Sequence, residues 1–112
     1  MINLCDAARE LRTRLGLSLR GAAKELGVSF VHLSNIENDN VSPSAEIIDR
    51  FRRAWGIDLY MFAACYFSDD GDFPEGISRP LERLKSAWER EIDALIRRRR
   101  TEASRSAKFV HD

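Results

Sequence analysis

Apolar residues recur through the first 67 positions at helical spacing, with no stretch of the strict alternation a half-buried strand requires. Leu4, Ala8, Leu11 and Leu15 step by 4, 3 and 4, which lines one face of a helix over residues 4–15, and Gly16 ends it. Ser18 has the side chain to cap a second helix whose Ala22, Ala23 and Leu26 turn inward, with Gly27 as its stop. The third residue after that cap is Gly21, not Glu or Gln, so no capping box forms. An internal glycine also costs about 1 kcal/mol against alanine, so this helix depends on tertiary packing. Ser29 opens a third helix over residues 29–38 with Leu33 and Ile36 facing the same core, and the polar stretch 38–42 ends it. Ser42, Pro43 and Ser44 start a fourth helix, residues 44–55, with Ile47, Ile48, Phe51 and Trp55 inward. A fifth, very apolar helix over residues 59–67 closes the bundle.

Between residues 68 and 80 the composition shifts to Asp, Gly, Ser and Pro, the signature of a loop. A second helical pattern follows, with Leu81, Leu84, Trp88, Ile92, Leu95 and Ile96 at steps of 3, 4, 4, 3 and 1. This amphipathic helix is expected to run about 20 residues, roughly 30 Å, before the four arginines 97–100 and a fraying polar tail. The predicted organisation is all-α, with a five-helix bundle in residues 1–67, an acidic loop in 68–80, and an amphipathic helix with a basic tail in 81–112. A stripe of Leu81, Leu84, Trp88, Ile92 and Leu95 is too apolar for a free helix, so it packs on its own bundle or on a second copy. The acidic loop that separates it from the bundle favours the second copy, and these five residues are the expected dimerisation contacts.

A chain of 112 residues with 44% apolar composition sustains one small core. Its 18 basic and 18 acidic side chains cancel, so overall charge lends no support to a nucleic-acid partner. Charge is segregated, however: residues 1–67 are neutral, 68–80 carry −3 and 81–112 carry +3. Cys5 and Cys65 are the only cysteines, too few for a disulfide framework or a metal knuckle, which fits a reducing cytoplasm. The N-terminal segment has no basic-then-apolar leader, and no run approaches the ~18 apolar residues of a membrane span. His32 and His111 are the only histidines. Neither has a metal-ligand spacing, and no Gly-rich phosphate loop or nucleophile motif is present, so no enzyme, cofactor or metal is expected. The tail leaves little room for an effector pocket of ~300 Å³ or more.

Residues 11–57 place two short amphipathic helices around a Gly27-Val28 turn, a helix-turn-helix pattern. With Leu11-Arg12, Gly16-Leu17-Ser18, Ala23, Leu26-Gly27-Val28-Ser29, Ile36-Glu37, Pro43-Ser44 and Gly56-Ile57, the stretch 4–67 resembles the lambda-repressor-like (XRE, Cro-type) family. The resemblance implies double-stranded DNA as partner and residues 29–38 as the recognition helix. It implies an ion pair between Arg12 and Glu37 that sets the angle of that helix. By similarity Phe30, Val31 and Asn35 stand at base-contacting positions, with Ser29 and Asn38 where phosphate contacts are usual. Asn35 can pair bidentately with adenine, and Phe30 or Val31 can touch a thymine methyl. Phe30 and Val31 serve equally well as a protein contact. Ser18, Arg20, His32 and Ser34 complete the expected DNA-binding set.

Three departures bear on affinity. Leu19 stands where the family usually has Gln, the loop 39–42 has no Lys or Arg, and residues 1–67 are neutral. Phosphate neutralisation supplies much of DNA affinity, so a single domain should bind weakly and a homodimer becomes necessary. The expectation is a cytoplasmic transcriptional repressor that reads an inverted repeat as a homodimer. The alternative is an antitoxin-type module on the same fold, whose C-terminal segment grips a protein partner such as a toxin.

Overall fold

The computed structural model of the chain describes residues 3–67 and 75–110. Five short helices come first: α1 Leu4–Arg14, α2 Leu19–Leu26, α3 Phe30–Glu37, α4 Ala45–Trp55 and α5 Leu59–Phe67. A 3-10 turn, Glu75–Ile77, leads into a long α6, Ser78–Val110. The described residues are all-α, as the spacing predicts.

Each early helix starts on a polar side chain that accepts from its first free N–H groups. Asn3 Oδ1 takes Cys5 N and Asp6 N at 3.0 Å each. Ser18, Ser29 and Ser44 Oγ take Gly21 N, His32 N and Ile47 N at 3.0, 3.0 and 3.2 Å. Gly27, φ +71°, ends α2 in the left-handed region, and a β-carbon there would lie 2.8 Å from Arg50 Nη1. That arginine donates to Leu26 O and Gly27 O at 3.2 and 3.1 Å, which ties the α2–α3 turn to α4.

The core is continuous. Leu11, Leu33, Ile36, Phe51, Ile57, Leu59 and Phe62 are each at most 1% exposed, and full burial of such side chains stabilises by about 1.5–3 kcal/mol apiece. Ala22 and Ala23, also buried, let α2 approach its neighbours closely. Phe51 and Trp55 meet edge to face at 5.0 Å, and the Trp55 indole donates to Glu25 Oε1 at 3.3 Å. α5 lies between α1 and α6, with α4 also against it.

α6 differs from expectation in length and in placement. It spans 33 residues, beginning two before Pro80, which the first turn tolerates because that N–H needs no partner. It continues beyond the four arginines because no Gly or Pro follows them, and loss of the apolar stripe does not itself stop a helix. Ile92 is 0% and Ile96 7% exposed in the core of the same chain, with Trp88 and Leu95 packed partly against it. Leu81 is half-buried and Leu84 exposed. Tyr66 Oη donates to Asp93 Oδ1 at 3.0 Å, and Arg99 donates to Ala54 O at 3.1 Å and Glu25 Oε1 at 2.7 Å. Within the expected loop 68–80, residues 68–74 lie outside the described residues, while 75–80 form the 3-10 turn and the start of α6.

Candidate nucleic-acid interface

α2, the Gly27-Val28 turn and α3 form one packed unit, closed by Val28 N donating to Ala23 O at 3.0 Å. Its angle to α1 is set by a charged cluster. Glu37, the last residue of α3, has a side chain only 3% exposed. Arg12 from α1 grips it at both oxygens, Nε to Oε2 at 2.8 Å and Nη2 to Oε1 at 2.9 Å, and its Nη1 donates to Leu17 O at 2.9 Å. One planar guanidinium thus joins α1, the α1–α2 turn and the end of α3, which a lysine ammonium could not do. Arg9 adds a second cation, with Nε 3.7 Å from Glu37 Oε1 and Nη2 donating to Asn38 Oδ1 at 3.2 Å.

The face of α3 turned from the core carries Phe30 at 40% and Val31 at 65% exposure, with His32 and Asn38 exposed and Ser34 and Asn35 half-buried. Two large apolar side chains thus stand together in solvent at the start of one helix. The Arg20 guanidinium lies 4.8 Å over the Phe30 ring, a cation–π contact that joins the first turns of α2 and α3. Ser18 and Ser29 use their oxygens as caps, and each hydroxyl proton remains to be donated at the positive end of a helix dipole.

Asn35 Oδ1 accepts from Asn40 Nδ2 at 3.4 Å, a long bond, and its own amide nitrogen has no protein acceptor among the described residues. Asn38 is more committed, donating to Ser34 Oγ at 3.2 Å while accepting from Arg9. The structure therefore brings Ser18, Arg20, Ser29, Phe30, Val31, His32 and Asn35 to one edge, with Ser34 and Asn38 tied to each other beside Arg9. Sequence reasoning missed two residues, Arg9 and Asn40, and the contact between Arg20 and Phe30. Arg9 sits three residues before Arg12 on one helix face, a spacing that could have revealed it. The Arg20–Phe30 stack and the Asn35–Asn40 bond depend on how the turns close, and no local pattern encodes them.

The loop after α3 is carried outward by Asp39, which has a φ of +63°, and is held by Cys5, whose thiol donates to Val41 O at 3.4 Å. Burial pushes the Cys5 thiol up to about 11, with the nearby Asp39 carboxylate adding to the rise, so it is an inert packing group. Cys65 is likewise pushed up to about 11 by burial. Among the described residues no group of His, Cys, Asp and Glu could hold a metal ion, and no helix is long and apolar enough to cross a membrane.

Residues 9–62, from the middle of α1 into α5, match the helix-turn-helix family. The HTH-type transcriptional regulator DdrOP3 of Deinococcus deserti is 28% identical over 81 residues, which cover 69% of this chain and 63% of that protein. The chain thus spans a little under two thirds of the relative's length. No solved structure matches.

Proposed function

We propose that the chain, whose residues 9–62 match the helix-turn-helix family and are lambda-repressor-like in motif, is a DNA-binding regulator, and specifically a repressor that binds an inverted-repeat operator as a homodimer. The observation that carries this reading is the α3 face. Phe30, Val31 and Asn35 stand outward on a helix whose far end is locked by Arg12 and Glu37.

In the major groove, the free amide of Asn35 pairs with adenine, and Phe30 or Val31 meets a thymine methyl. Ser18, Arg20, Ser29 and Asn38 contact phosphates and fix the register, with His32 and Ser34 flanking. A reader with a neutral bundle gains little from counterion release, so two copies about 34 Å apart supply the affinity one lacks. Leu81 and Leu84, which the bundle leaves uncovered or half-covered, form the dimer contact together with the outer edges of Trp88 and Leu95. Ile92 is already spent on the chain's own core. The site of action is the compartment that holds the DNA, the cytoplasm.

Selection of bound duplexes from a random pool tests this. An inverted repeat should emerge, and Asn35→Ala should relax one symmetric base pair at a cost of about 1–3 kcal/mol. Absence of any motif at low salt refutes it. The exposure of Phe30 and Val31 also favours a second reading, an antitoxin-type module that presents this patch to a toxin. Sizing of the purified chain separates the two, since a stable homodimer supports the first and an insoluble chain rescued only by a partner supports the second.

A further inference from the structure

We propose that the arginine-lined cleft between the end of α1 and α6 is a second phosphate-binding surface, which holds the DNA backbone beside the site read by α3. The inference rests on the DNA-binding reading and extends it to a part of the chain outside the helix-turn-helix unit. The cleft has a volume of about 500 Å³ and is lined by Arg14, Asp93, Ile96, Arg97 and Arg100. Three guanidinium groups line it with one carboxylate, Asp93, which already accepts the Tyr66 hydroxyl at 3.0 Å, and Glu10 beside the cleft engages Arg14, so Arg97 and Arg100 are the cations without a carboxylate bond among the described residues. Guanidinium forks match phosphate oxygens two at a time, so this is the donor set a phosphodiester requires.

Two of the arginines are held in place before any ligand arrives. Arg14 donates to Glu10 Oε1 at 2.9 Å and lies 4.1 Å over the Tyr66 ring. Arg97 Nε reaches Asp93 O at 3.4 Å. Arg100 lies over Gly16, where its Nε would be 3.6 Å from a β-carbon, and it has no carboxylate partner among the described residues. A nearly buried Ile96 at 7% exposure forms the floor.

Position decides which phosphate this surface serves. Gly16 is two residues before Ser18, the cap of α2, so the Arg100 seat and the phosphate-facing start of α2 are at most about 7 Å apart along the chain. The Arg100 end of the cleft is therefore the end nearest Ser18 in the chain. Charge points the same way: residues 1–67 are neutral, and the +3 of residues 81–112 is the only basic surplus the chain can add to a duplex.

The test uses the full chain and a selected duplex, either flanked by about one helical turn on each side (about 10 base pairs) or trimmed to the core site. Arg97→Gln with Arg100→Gln is compared with a charge-matched control, Arg83→Gln with Arg90→Gln. On the flanked duplex the cleft variant should lower the slope of log affinity against log salt by about 1 to 2, while the control leaves it unchanged. Binding to the trimmed duplex, the base preference and the melting temperature should stay as in the parent chain. Equal slopes for cleft variant and parent overturn the proposal, as does an equal drop in the control. Calorimetric binding of inorganic phosphate, lost in the cleft variant while the DNA slope is kept, would instead make the cleft a small-anion site. If the parent chain selects no motif, the operator reading fails, yet the slope comparison on any long duplex still decides the cleft.

Discussion

Removing Arg12 should be among the most damaging single changes outside the apolar core. In Arg12→Ala the Glu37 carboxylate, 3% exposed, loses both of its short donors, and Leu17 O loses a third bond. Leaving one partner of a buried pair uncompensated costs about 3–5 kcal/mol. Arg9 already stands 3.7 Å from Glu37 and can swing closer, and Arg12 is itself 20% exposed, so the lower end applies, about 3 kcal/mol. Against a total stability of about 5–15 kcal/mol that is a large fraction. It corresponds to a fall in melting temperature of roughly 12 °C or more. Urea unfolding followed by tryptophan fluorescence reads it directly, since Trp55 is 2% exposed and Trp88 packs against the core. The midpoint should fall with the slope unchanged. The same cost need not follow when both charges go: Arg12→Met with Glu37→Met should recover most of the loss, since apolar replacement of a buried pair is often neutral. A single-variant cost under about 1 kcal/mol, or a double variant as costly as the two singles added, would refute the reasoning.

Further outcomes follow from the same geometry. Ile92→Ala, at a wholly buried site, should cost about 2–5 kcal/mol in urea, whereas Leu84→Ala should leave folding within about 0.5 kcal/mol and raise the dissociation constant of the proposed dimer by sedimentation. The alkaline limb of stability should be set by buried thiols and a phenol. Cys5 and Cys65 rise from 9.0 to about 11, and Tyr66 rises from 10.0 to about 12, each mainly by burial. A group raised in the folded state keeps its contribution below the unfolded value and loses it as pH climbs through the folded one. Melting temperature should therefore hold up to about pH 9 and fall between 9 and 12, with the fall reduced at its lower end in Cys65→Ala. A melting temperature that rises across that window would contradict the assignment.

The five bundle helices were legible because their signals are local. Caps at Ser18, Ser29 and Ser44, stops at Gly16 and Gly27, and apolar spacing place the helices within a residue or two. The site was legible only where it reuses that scaffold. Outward positions on α3 follow from the helical period, so Phe30 and Val31 could be placed in solvent before any coordinates. The occupancy of each polar side chain could not be. Asn38 and Ser34 bond each other one helical turn apart, and Asn35 reaches Asn40 where Asp39 turns the chain at a positive φ, a conformation that Asp signals weakly. The Arg12–Glu37 pair, 25 positions apart, came from family resemblance and not from spacing.

The placement of α6 was written in a different helix. Read alone, its stripe fits either its own bundle or a second copy. α5, however, reads LYMFAACYF, apolar on every side, with no charged residue. A helix apolar all round calls for cover on more than one side, and α1 and α4 supply part of it. Residues 81–96 carry an apolar stripe suited to cover a further side of α5. Ile92, Ile96, Trp88 and Leu95 do so. α6 thus completes the cover of α5 that α1 and α4 begin. The consequence reaches the reader: Arg99 from α6 binds Glu25 of α2 and Ala54 O of α4, so the parts of α6 have separate work. Arg99 fastens the later part to the helix-turn-helix unit, the middle from Lys85 to Ile96 lies on the chain's own bundle, and only the start, with Leu81 and Leu84, is left for the proposed partner copy. A dimer joined there would set the spacing of its two α3 helices through a single continuous helix in each chain.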